Sequence, residues 1–359
     1  MREPFSRFGL SAEPGSDEFW NAVHGPVPVP DSDGWSTLFL WRGSPATLWF
    51  ESWSDTIKLR QWEDSDCWYA EVPMPARLRV TYQYRTDDGH DADPLNPAAA
   101  GIDRSIFATP DAQEQPHWPV VGPDDVLPLP RTRIRWISTL FGGRRTVRVH
   151  QPDGAGPHPT VLLLDGDDWM HVHPAMTAFE SAVTAGEMPP ATLVFLPTPN
   201  SREAEFACNP TLWKAIRDEL MPLLSENGVA IDREKLVVAG QSYGGLSAFY
   251  AALEFPDLVS RVACQSGSFW WRANRQDDSF DGPLGGDIAE RLTKVDLSRL
   301  RVAFDVGEHE TEMLPHCELV EKLTEEAGAT VRVSRSTSAH DRAGWRHPLV
   351  RDVAWALRD

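Results

Sequence analysis

The strongest chemical signal in the sequence is a serine between glycines at Gly240–Gly245, where the chain reads GQSYGG. An apolar run, Leu236–Ala239, precedes it, and apolar residues at helical spacing follow at Ser247–Leu253. A serine on a sharp strand-to-helix turn is held in strained backbone geometry, and its neighbours two before and two after must be small because strand and helix approach closely. We therefore predict that Ser242 is a nucleophile in acyl transfer. A glycine-rich structural turn is the alternative.

A histidine suited to deprotonate that serine follows the last predicted strand. In α/β-hydrolases, which carry such a serine, an acid and then a histidine follow it along the chain. His340 lies just beyond the predicted strand Thr330–Ser334, in the loop where this fold delivers its base. We therefore predict that His340 is the general base.

The acid should lie just after the preceding strand. That strand, Arg301–Val306, is followed by GEHE at 307–310. A carboxylate there can accept a hydrogen bond from the histidine ring, fix its tautomer and stabilise the imidazolium. Glu310 is the first candidate and Glu308 the second, while Asp305 fits a place within the strand. A serine–histidine pair without a strong acid remains open.

Two backbone N–H groups must stabilise the negative oxygen that forms during acyl transfer. One belongs to the residue after the nucleophile, Tyr243. The other should come from an early strand-to-helix loop, which reads DGDDW at Asp165–Trp169 after the apolar run Val161–Leu164. Gly166 or Asp167 is the predicted second donor. An ordinary turn in this loop is the alternative.

Alternating strands and helices must position these residues. Beyond Arg131, strand candidates alternate with helical ones, which implies a largely parallel sheet with helices on both faces. The strand candidates are Thr146–His150, Val161–Leu164, Ala191–Leu196, Leu236–Ala239, Arg301–Val306 and Thr330–Ser334, and the helical ones are Thr211–Leu224, Ser247–Leu253 and His347–Leu357. We therefore predict an α/β-hydrolase fold, in the α/β class, for residues 126–359.

The first third of the chain has a different pattern. Aromatic, β-branched and alternating residues mark short strands, separated by turn signals such as DSDG at 31–34. The strand candidates are Ser36–Arg42, Ala46–Ser52, Trp68–Val72 and Leu78–Arg85. Short strands at this spacing predict a smaller, all-β sandwich. The proline-rich stretch Asp91–Pro130 predicts an extended linker, so we assign residues 1–125 to the sandwich domain and its linker.

The composition limits the classes of partner. The net charge is −19 and no long Lys/Arg run is present, so binding to nucleic acid or to an anionic membrane is not expected. The polar start lacks the apolar core of a secretory signal, and no apolar run approaches about 20 residues. The cysteines at 67, 208, 264 and 317 form no CxxC pair and are expected to be reduced. These features predict a cytoplasmic protein, and leave a monomer or a homodimer open.

Five blocks of the sequence resemble the enterochelin esterases, relatives of the esterase D group within the α/β-hydrolases. The blocks are Leu163–Trp169, Arg202–Trp213, Val238–Ala248, Gln265–Trp271 and His340–Arg346, in matching order and spacing. The resemblance covers Arg131–Asp359 and extends weakly into the first third, where DPLN at 93–96 resembles the family's inter-domain signature. Members of this family have an N-terminal β-sandwich, which agrees with the strand pattern.

The resemblance implies a specific reaction. Enzymes of this family hydrolyse the serine-trilactone ester bonds of a ferric or free catecholate siderophore and so release iron in the cytoplasm. By motif match, Ser242 and His340 are nucleophile and base, and Glu310 aligns best with the acid. No cofactor is implied, since the iron belongs to the substrate.

Cations and flat rings within these blocks suit that substrate. A ferric catecholate is anionic, so a protein with a net charge of −19 needs local cations to hold it. Guanidinium groups suit catecholate oxygens, and indole rings offer surfaces for catechol rings. The predicted substrate-binding residues are Arg202, Arg272, Arg346, Trp169, Trp270 and Trp271. The alternative is that the tryptophans belong to the core and that Arg202 pairs with Glu205.

Two other functions stay open. One is a carboxylesterase acting on aromatic or polysaccharide esters, with the sandwich as a carbohydrate-binding module. The other is a siderophore-binding protein that kept the fold without catalysis. A metal site is not expected, because His171 and His173 have no third ligand at metal spacing.

Overall fold

The computed structural model describes residues 3–53, 55–122, 124–154, 157–274 and 280–358. The chain forms two compact units. The first comprises Met1–Gln115, Pro119–Val126 and Thr337–Gly344, and the second comprises Pro116–Trp118, Leu127–Ser336 and Trp345–Asp359. The predicted division into two consecutive domains does not include the return of residues 337–344 to the first unit. The first two residues of the polar start, and residue 123 of the predicted linker, lie outside the described residues.

The first unit is an antiparallel β-sandwich with two short helices. Its elements are α1 (Glu3–Ser6), α2 (Asp17–Ala22), β1 (Val27–Asp31), β2 (Gly34–Arg42), β3 (Thr47–Phe50), β4 (Ile57–Lys58), β5 (Arg60–Gln61), β6 (Cys67–Pro75), β7 (Arg79–Thr86), β8 (Gly89–Asp91) and β9 (Ser105–Ala108). One sheet has the order β1-β2-β6-β5, and the other has the order β4-β3-β7-β8 with β9 paired to β7.

Aromatic side chains fill the core of the sandwich. Phe39 of β2 meets Phe50 of β3 and Tyr82 of β7 edge-on, with ring centroids 5.4 and 5.2 Å apart. Tyr82 is buried, and its hydroxyl donates to Asp93 at 2.7 Å. Burying one such ring stabilises the fold by about 1.5–3 kcal/mol. The aromatic residues of the first third therefore form a core that joins its two sheets.

The second unit is built on an eight-stranded sheet. Its strands are β10 (Thr132–Ser138), β11 (Gly143–His150), β12 (His158–Leu163), β13 (Thr192–Phe195), β14 (Ile231–Gln241), β15 (Arg261–Gln265), β16 (Arg301–Gly307) and β17 (Thr330–Ser336). Their order is β10-β11-β13-β12-β14-β15-β16-β17. The strands from β13 to β17 pair in parallel, whereas β10 and β11 are antiparallel. The sheet is therefore mostly parallel, as predicted.

Helices connect the strands of this sheet. They are α3 (Gly166–His171), α4 (Ala175–Thr184), α5 (Arg202–Phe206), α6 (Pro210–Ala215), α7 (Met221–Glu226), α8 (Tyr243–Glu254), α9 (Gly286–Leu292), α10 (Leu314–Glu326) and α11 (Arg342–Ala356). A π-helical turn, Ile216–Leu220, joins α6 to α7.

Strand β14 is buried on both faces and ends at the carboxyl edge of the sheet. Leu236 and Val238 lie in the apolar core on one face, and Val237 and Ala239 lie in the core on the other face. A strand covered on both faces reads as a continuous apolar run. In open α/β sheets ligands bind beyond the carboxyl ends of the strands, and β14 ends there, directly before Ser242.

The predicted fold is confirmed, but several elements were missed. Strand β15 begins and ends with polar residues, RVACQ, so its short apolar centre gave no signal. Strand β10 was also missed. The predicted linker Asp91–Pro130 is wrong over Ser105–Ala108, which forms β9 and pairs with β7. Tertiary pairing with a neighbouring strand outweighs the weak local propensity of this proline-rich stretch.

The structure also bears on the predicted state of the cysteines and on membrane-spanning helices. The cysteines at 67, 208, 264 and 317 are free and buried. Burial raises the pKa of the Cys67 and Cys208 thiols to about 12 each, so both stay protonated at neutral pH. Among the described residues, every helix falls short of the combined length and hydropathy that crossing a membrane requires.

Candidate active site

Ser242 lies on a sharp turn between β14 and α8. Its backbone has φ 56° and ψ −123°, a region that residues with a side chain rarely adopt. Its N–H donates to the carbonyl of Gln265 at 3.0 Å, and its carbonyl accepts from the N–H groups of Leu246 and Ser268 at 3.0 and 3.1 Å. Strained residues persist only where the surroundings fix them, and they cluster at active sites. The geometry is that of a nucleophile elbow.

The glycines around Ser242 differ in how much space they need. A Cβ on Gly240 would lie 2.2 Å from the carbonyl oxygen of Gly244. A Cβ on Gly244 would lie no closer than 3.4 Å to another atom, the carboxylate oxygen of Asp165, which is an ordinary contact. The predicted need for a small residue is therefore confirmed at Gly240 and is weak at Gly244.

This difference predicts unequal costs for two alanine variants. Gly240→Ala is expected to lower the free energy of unfolding by about 3 kcal/mol or more, because the added methyl meets rigid backbone. Gly244→Ala is expected to change it by less than about 1 kcal/mol, because the methyl has room and alanine favours the helix. Urea denaturation followed by circular dichroism measures both. Equal losses would show that the elbow relaxes around the methyl.

A second serine lies beside the predicted nucleophile. The Ser268 hydroxyl oxygen is 3.3 Å from that of Ser242, and Ser268 is buried. The sequence prediction missed it, although it lies in the sequence SGS directly after β15. Neighbouring parallel strands bring their carboxyl ends together, so recognition of β15 would have placed Ser268 near Ser242.

The structure corrects one of the predicted oxyanion donors. The N–H of Gly166 donates to the carbonyl of Leu196 at 2.7 Å, so it is already engaged. Glycine is needed there for a different reason, since a Cβ would lie 2.7 Å from the carbonyl carbon of Phe195. Asp167, the other candidate, is the second residue of α3, where a backbone N–H lacks an acceptor within the helix. Tyr243 is the first residue of α8.

A buried ion pair fixes the loop before α3. Asp165 is 0% exposed, and its carboxylate accepts hydrogen bonds from Arg202 Nε at 2.8 Å and Nη2 at 2.6 Å. Arg202 Nη2 also donates to the carbonyl of Gln241, directly before Ser242, at 3.2 Å. Arg202 therefore ties the predicted oxyanion loop to the elbow. Glu205, its predicted partner in the alternative reading, pairs with Arg145 instead.

Removal of Arg202 tests this role. Arg202→Met is expected to lower the free energy of unfolding by about 3–5 kcal/mol, because it removes a guanidinium that pairs with a buried carboxylate. Arg217→Met is the matched control, since Arg217 pairs with the exposed Asp218 and surface pairs contribute little. Urea denaturation compares the two variants. A similar, small change in both would mean that Asp165 is stabilised without Arg202.

The two acid candidates have different surroundings. Glu310 is 6% exposed, and its Oε1 accepts from Ser266 Oγ at 2.5 Å and from Gly307 N–H at 2.9 Å. Ser266 Oγ accepts in turn from the indole N–H of Trp345 at 2.8 Å. Glu308 is exposed. A carboxylate held in one orientation by fixed donors suits the acid of a triad, so the surroundings favour Glu310.

Asp305, the third carboxylate considered, lies within β16, as predicted. Its oxygens accept from Ser334, Ser336 and Arg351 at 2.7, 2.7 and 2.9 Å. Burial raises the pKa of the Asp305 carboxyl, and the Arg351 charge opposes that rise. This carboxylate braces β16 against β17 and α11.

His340 lies in the loop that follows β17, as predicted. The loop at 337–341 and the first turn of α11, as far as Gly344, belong to the first unit. His340 is partly exposed, whereas its neighbours Ala339 and Asp341 are 5% and 0% exposed.

Two predicted substrate-binding residues are buried in the second unit. Trp169 is 0% exposed, its indole N–H donates to Gln241 at 3.0 Å, and its ring lies 5.9 Å from that of Trp118. Arg346 is 5% exposed, and its guanidinium donates to His173 Nδ1, with Nη2 at 2.8 Å. Both side chains make these contacts within the second unit, and their contact with a ligand stays a prediction.

The other predicted substrate-binding residues remain partly exposed. Trp270 meets Tyr243 edge-on at 5.7 Å and Phe280 at 5.4 Å, so aromatic rings extend from the residue after Ser242. Trp271 is also partly exposed. Arg272 is paired with Glu290 at 3.2 Å. The aromatic rings therefore stay candidates for contact with a ligand ring, and Phe280 was missed.

The described residues contain no cluster of three or more His, Cys, Asp or Glu side chains that could hold a metal ion. His173, one of the two histidines weighed as ligands, faces the guanidinium of Arg346 through Nδ1. A ring nitrogen that accepts from a permanent cation is a poor metal ligand.

The eight-stranded sheet and the serine elbow define the second unit as an α/β-hydrolase. The sequence model of the family described as "Putative esterase" matches residues 138–356. The chain belongs to this esterase family.

Relatives of known name match both units. The chain is 29% identical to the iron(III) enterobactin esterase of Escherichia coli O6:H1, over 94% of this chain and 96% of that protein. It is 27% identical to the enzyme of the same name from Dickeya dadantii, over 92% and 78%. The crystal structure of the enterobactin esterase from Shigella flexneri in the presence of enterobactin matches with a TM-score of 0.81 at 26% identity, over 95% of this chain and 98% of that chain. The resemblance to the enterochelin esterases is thereby confirmed.

Proposed function

We propose that this protein is a cytoplasmic serine esterase that hydrolyses the trilactone ester bonds of a ferric, enterobactin-like catecholate siderophore and so releases its iron. The observation that carries the proposal is the extent of the match to enterobactin esterases. It spans 95% of the chain and 98% of the Shigella flexneri enzyme, so it includes the sandwich as well as the esterase fold. A general esterase domain would match over the second unit alone.

The proposed nucleophile is Ser242. Its strained backbone, with φ 56°, and the close contact at Gly240 support this role, since an ordinary turn requires neither. In the first step, Ser242 Oγ attacks a lactone carbonyl carbon and His340 accepts the hydroxyl proton. The negative oxygen is stabilised by the N–H groups of Tyr243 and Asp167.

The second half of the reaction uses the same groups. His340 donates its proton to the departing serine hydroxyl of the substrate, and water then attacks the acyl-enzyme with His340 again as base. Glu310 accepts a hydrogen bond from the imidazole and stabilises its charged form. Iron enters and leaves as part of the substrate. The rings of Trp270 and Trp271 support the proposal by offering partly exposed surfaces to catechol rings.

A chromatographic time course tests the proposed substrate. The purified protein is incubated with ferric enterobactin and, separately, with a feruloyl sugar ester. Stepwise linear trimer, dimer and monomer products from the trilactone alone are expected. Cleavage of only the sugar ester would overturn the siderophore assignment and favour a carboxylesterase of aromatic or polysaccharide esters. Tight binding of ferric enterobactin without any product would indicate a binding protein.

A further inference from the structure

The loop that carries His340 is part of the β-sandwich unit. Ser338 pairs in parallel with Arg79 of β7. Ala339 lies within the sandwich core, and the Gln115 side chain donates to the carbonyl of Ala343 at 2.7 Å. The loop is therefore anchored to the first unit on both sides of His340.

The strongest of these anchors is a buried carboxylate. Asp341 is 0% exposed. Its Oδ2 accepts from the backbone N–H of Thr81 at 2.6 Å, and its Oδ1 accepts from the Thr81 hydroxyl at 2.9 Å and from the N–H of Ala343 at 2.7 Å. Thr81 precedes Tyr82 on β7, and Tyr82 is the residue at which the pairing of β7 with β3 ends. Asp341 therefore binds a backbone N–H of β7 next to the end of this strand pairing.

The backbone at His340 is fixed as well. The N–H of Asp341 donates to the carbonyl of Ala339 at 2.8 Å, which closes a three-residue turn centred on His340. A Cβ on Gly344 would lie 2.1 Å from that of Ser338, so the start of the loop packs directly on the first turn of α11. Ala339 and Asp341 are both buried, and the backbone position of the partly exposed His340 between them is therefore fixed.

We propose that Thr81 and Asp341 are positioning residues for the general base, His340. The proposal rests on the proposed roles of Ser242 and His340. A general base must lie within hydrogen-bond reach of the proton that it abstracts, and a displacement of about 1 Å can cost about 10²-fold in rate. The hydrolase sheet ends at Ser336, so the orientation of His340 depends on what holds the loop beyond it.

The hydrogen bonds between Thr81 and Asp341 form a clamp on the loop that carries His340. Two variants, one mild and one severe, test this Asp341 clamp. Asp341→Asn keeps the size of the side chain but sets an amide N–H₂ against a backbone N–H donor. Thr81→Val removes one hydroxyl and keeps the backbone bond. With p-nitrophenyl butyrate as substrate, kcat is expected to fall about 10²-fold for Asp341→Asn and about 3- to 10-fold for Thr81→Val, with KM within about twofold. Thr81→Ser, which retains the hydroxyl, should recover most of the loss.

A matched control separates this effect from a general change in the sandwich. Thr47→Val removes a hydroxyl that donates to the carbonyl of Arg85 on the same strand, β7, at 3.4 Å. Thr47 lies away from the Asp341 clamp, so kcat is expected to stay unchanged. Circular dichroism confirms that each variant is folded, and Thr81→Val decides the question where Asp341→Asn does not fold.

A double-mutant cycle with His340→Ala distinguishes positioning from general stabilisation. A residue that acts only through His340 has no further effect once the imidazole is gone. Asp341→Asn and Thr81→Val are therefore expected to leave the residual kcat of His340→Ala unchanged. The same fractional loss in both backgrounds, or an unchanged kcat of the single variants, would overturn the proposal. Full activity of His340→Ala would instead overturn the proposed function.

Discussion

Ser242→Ala is expected to reduce kcat by about 10⁶-fold while the protein still binds its substrate. The size of the effect follows from the role proposed for Ser242, because loss of the nucleophile of a triad removes most of the covalent route and leaves only binding and oxyanion stabilisation. The Ser242 hydroxyl extends from a backbone that is held by bonds to Gln265, Leu246 and Ser268, so alanine fits without rearrangement. Release of catechol-serine products measures kcat, and quenching of tryptophan fluorescence by ferric enterobactin measures binding.

Ser268→Ala is the matched control for this result. Its hydroxyl oxygen lies 3.3 Å from that of Ser242, so the variant makes the same chemical change at almost the same place. Loss of one neutral hydrogen bond predicts a decrease of less than about tenfold. If Ser268→Ala lost activity as severely as Ser242→Ala, Ser268 itself would take part in the chemistry. Full activity of Ser242→Ala would refute the serine mechanism.

The sequence predicted the second unit better than the first because a buried parallel strand has a clear local signature. Val161–Leu164 and Leu236–Ala239 are apolar without interruption, and they lie in the middle of the sheet where both faces are covered. Strand β9 had no such signature. It is four residues long within a proline-rich stretch, and its pairing with β7 depends on residues far away in the chain.

The same contrast applies to the site. The elbow at Ser242 was predictable because the need for glycine at position 240 is local, as the contact of 2.2 Å with the Gly244 carbonyl shows. The sequence could not show that the Gly166 N–H is already hydrogen-bonded, since its acceptor, the carbonyl of Leu196, belongs to the loop after a different strand. The burial of Trp169 was not predictable for a related reason. An indole fits core packing and ligand stacking equally well until its neighbours are known.

The anchoring of His340 had no sequence signal at all. Nothing in residues 337–344 indicates that they join the sandwich unit, because Asp341 finds its donor at Thr81, 260 positions earlier. A buried aspartate reads in sequence like any loop carboxylate. Burial raises the pKa of the Asp341 carboxyl above its ordinary value, and the hydrogen bonds from Thr81 and Ala343 oppose part of that rise. Long-range hydrogen bonds of this kind become visible only in the folded chain.

Glu310→Gln is expected to lower kcat by about 10⁴-fold with little change in stability. In the structure Ser266 Oγ and Gly307 N–H donate to the same oxygen, Oε1. A glutamine can keep both bonds through its carbonyl oxygen. The amide then replaces the other oxygen, the charge is lost, and the imidazole is held in the wrong tautomer, which accounts for the size of the effect. Steady-state hydrolysis of p-nitrophenyl butyrate measures kcat, and urea denaturation checks stability.

Glu308→Gln on the same loop decides between the two acid candidates. Glu308 is exposed, and its backbone N–H donates to the carbonyl of Ser336 in β17 at 2.9 Å. Its replacement is expected to leave kcat within about twofold. A large loss in Glu308→Gln alone would assign the acid to Glu308 and reduce the buried Glu310 to a brace for Ser266. Normal activity in both variants would mean that Ser242 and His340 work as a pair, with the imidazolium stabilised by solvent and the backbone rather than by a carboxylate.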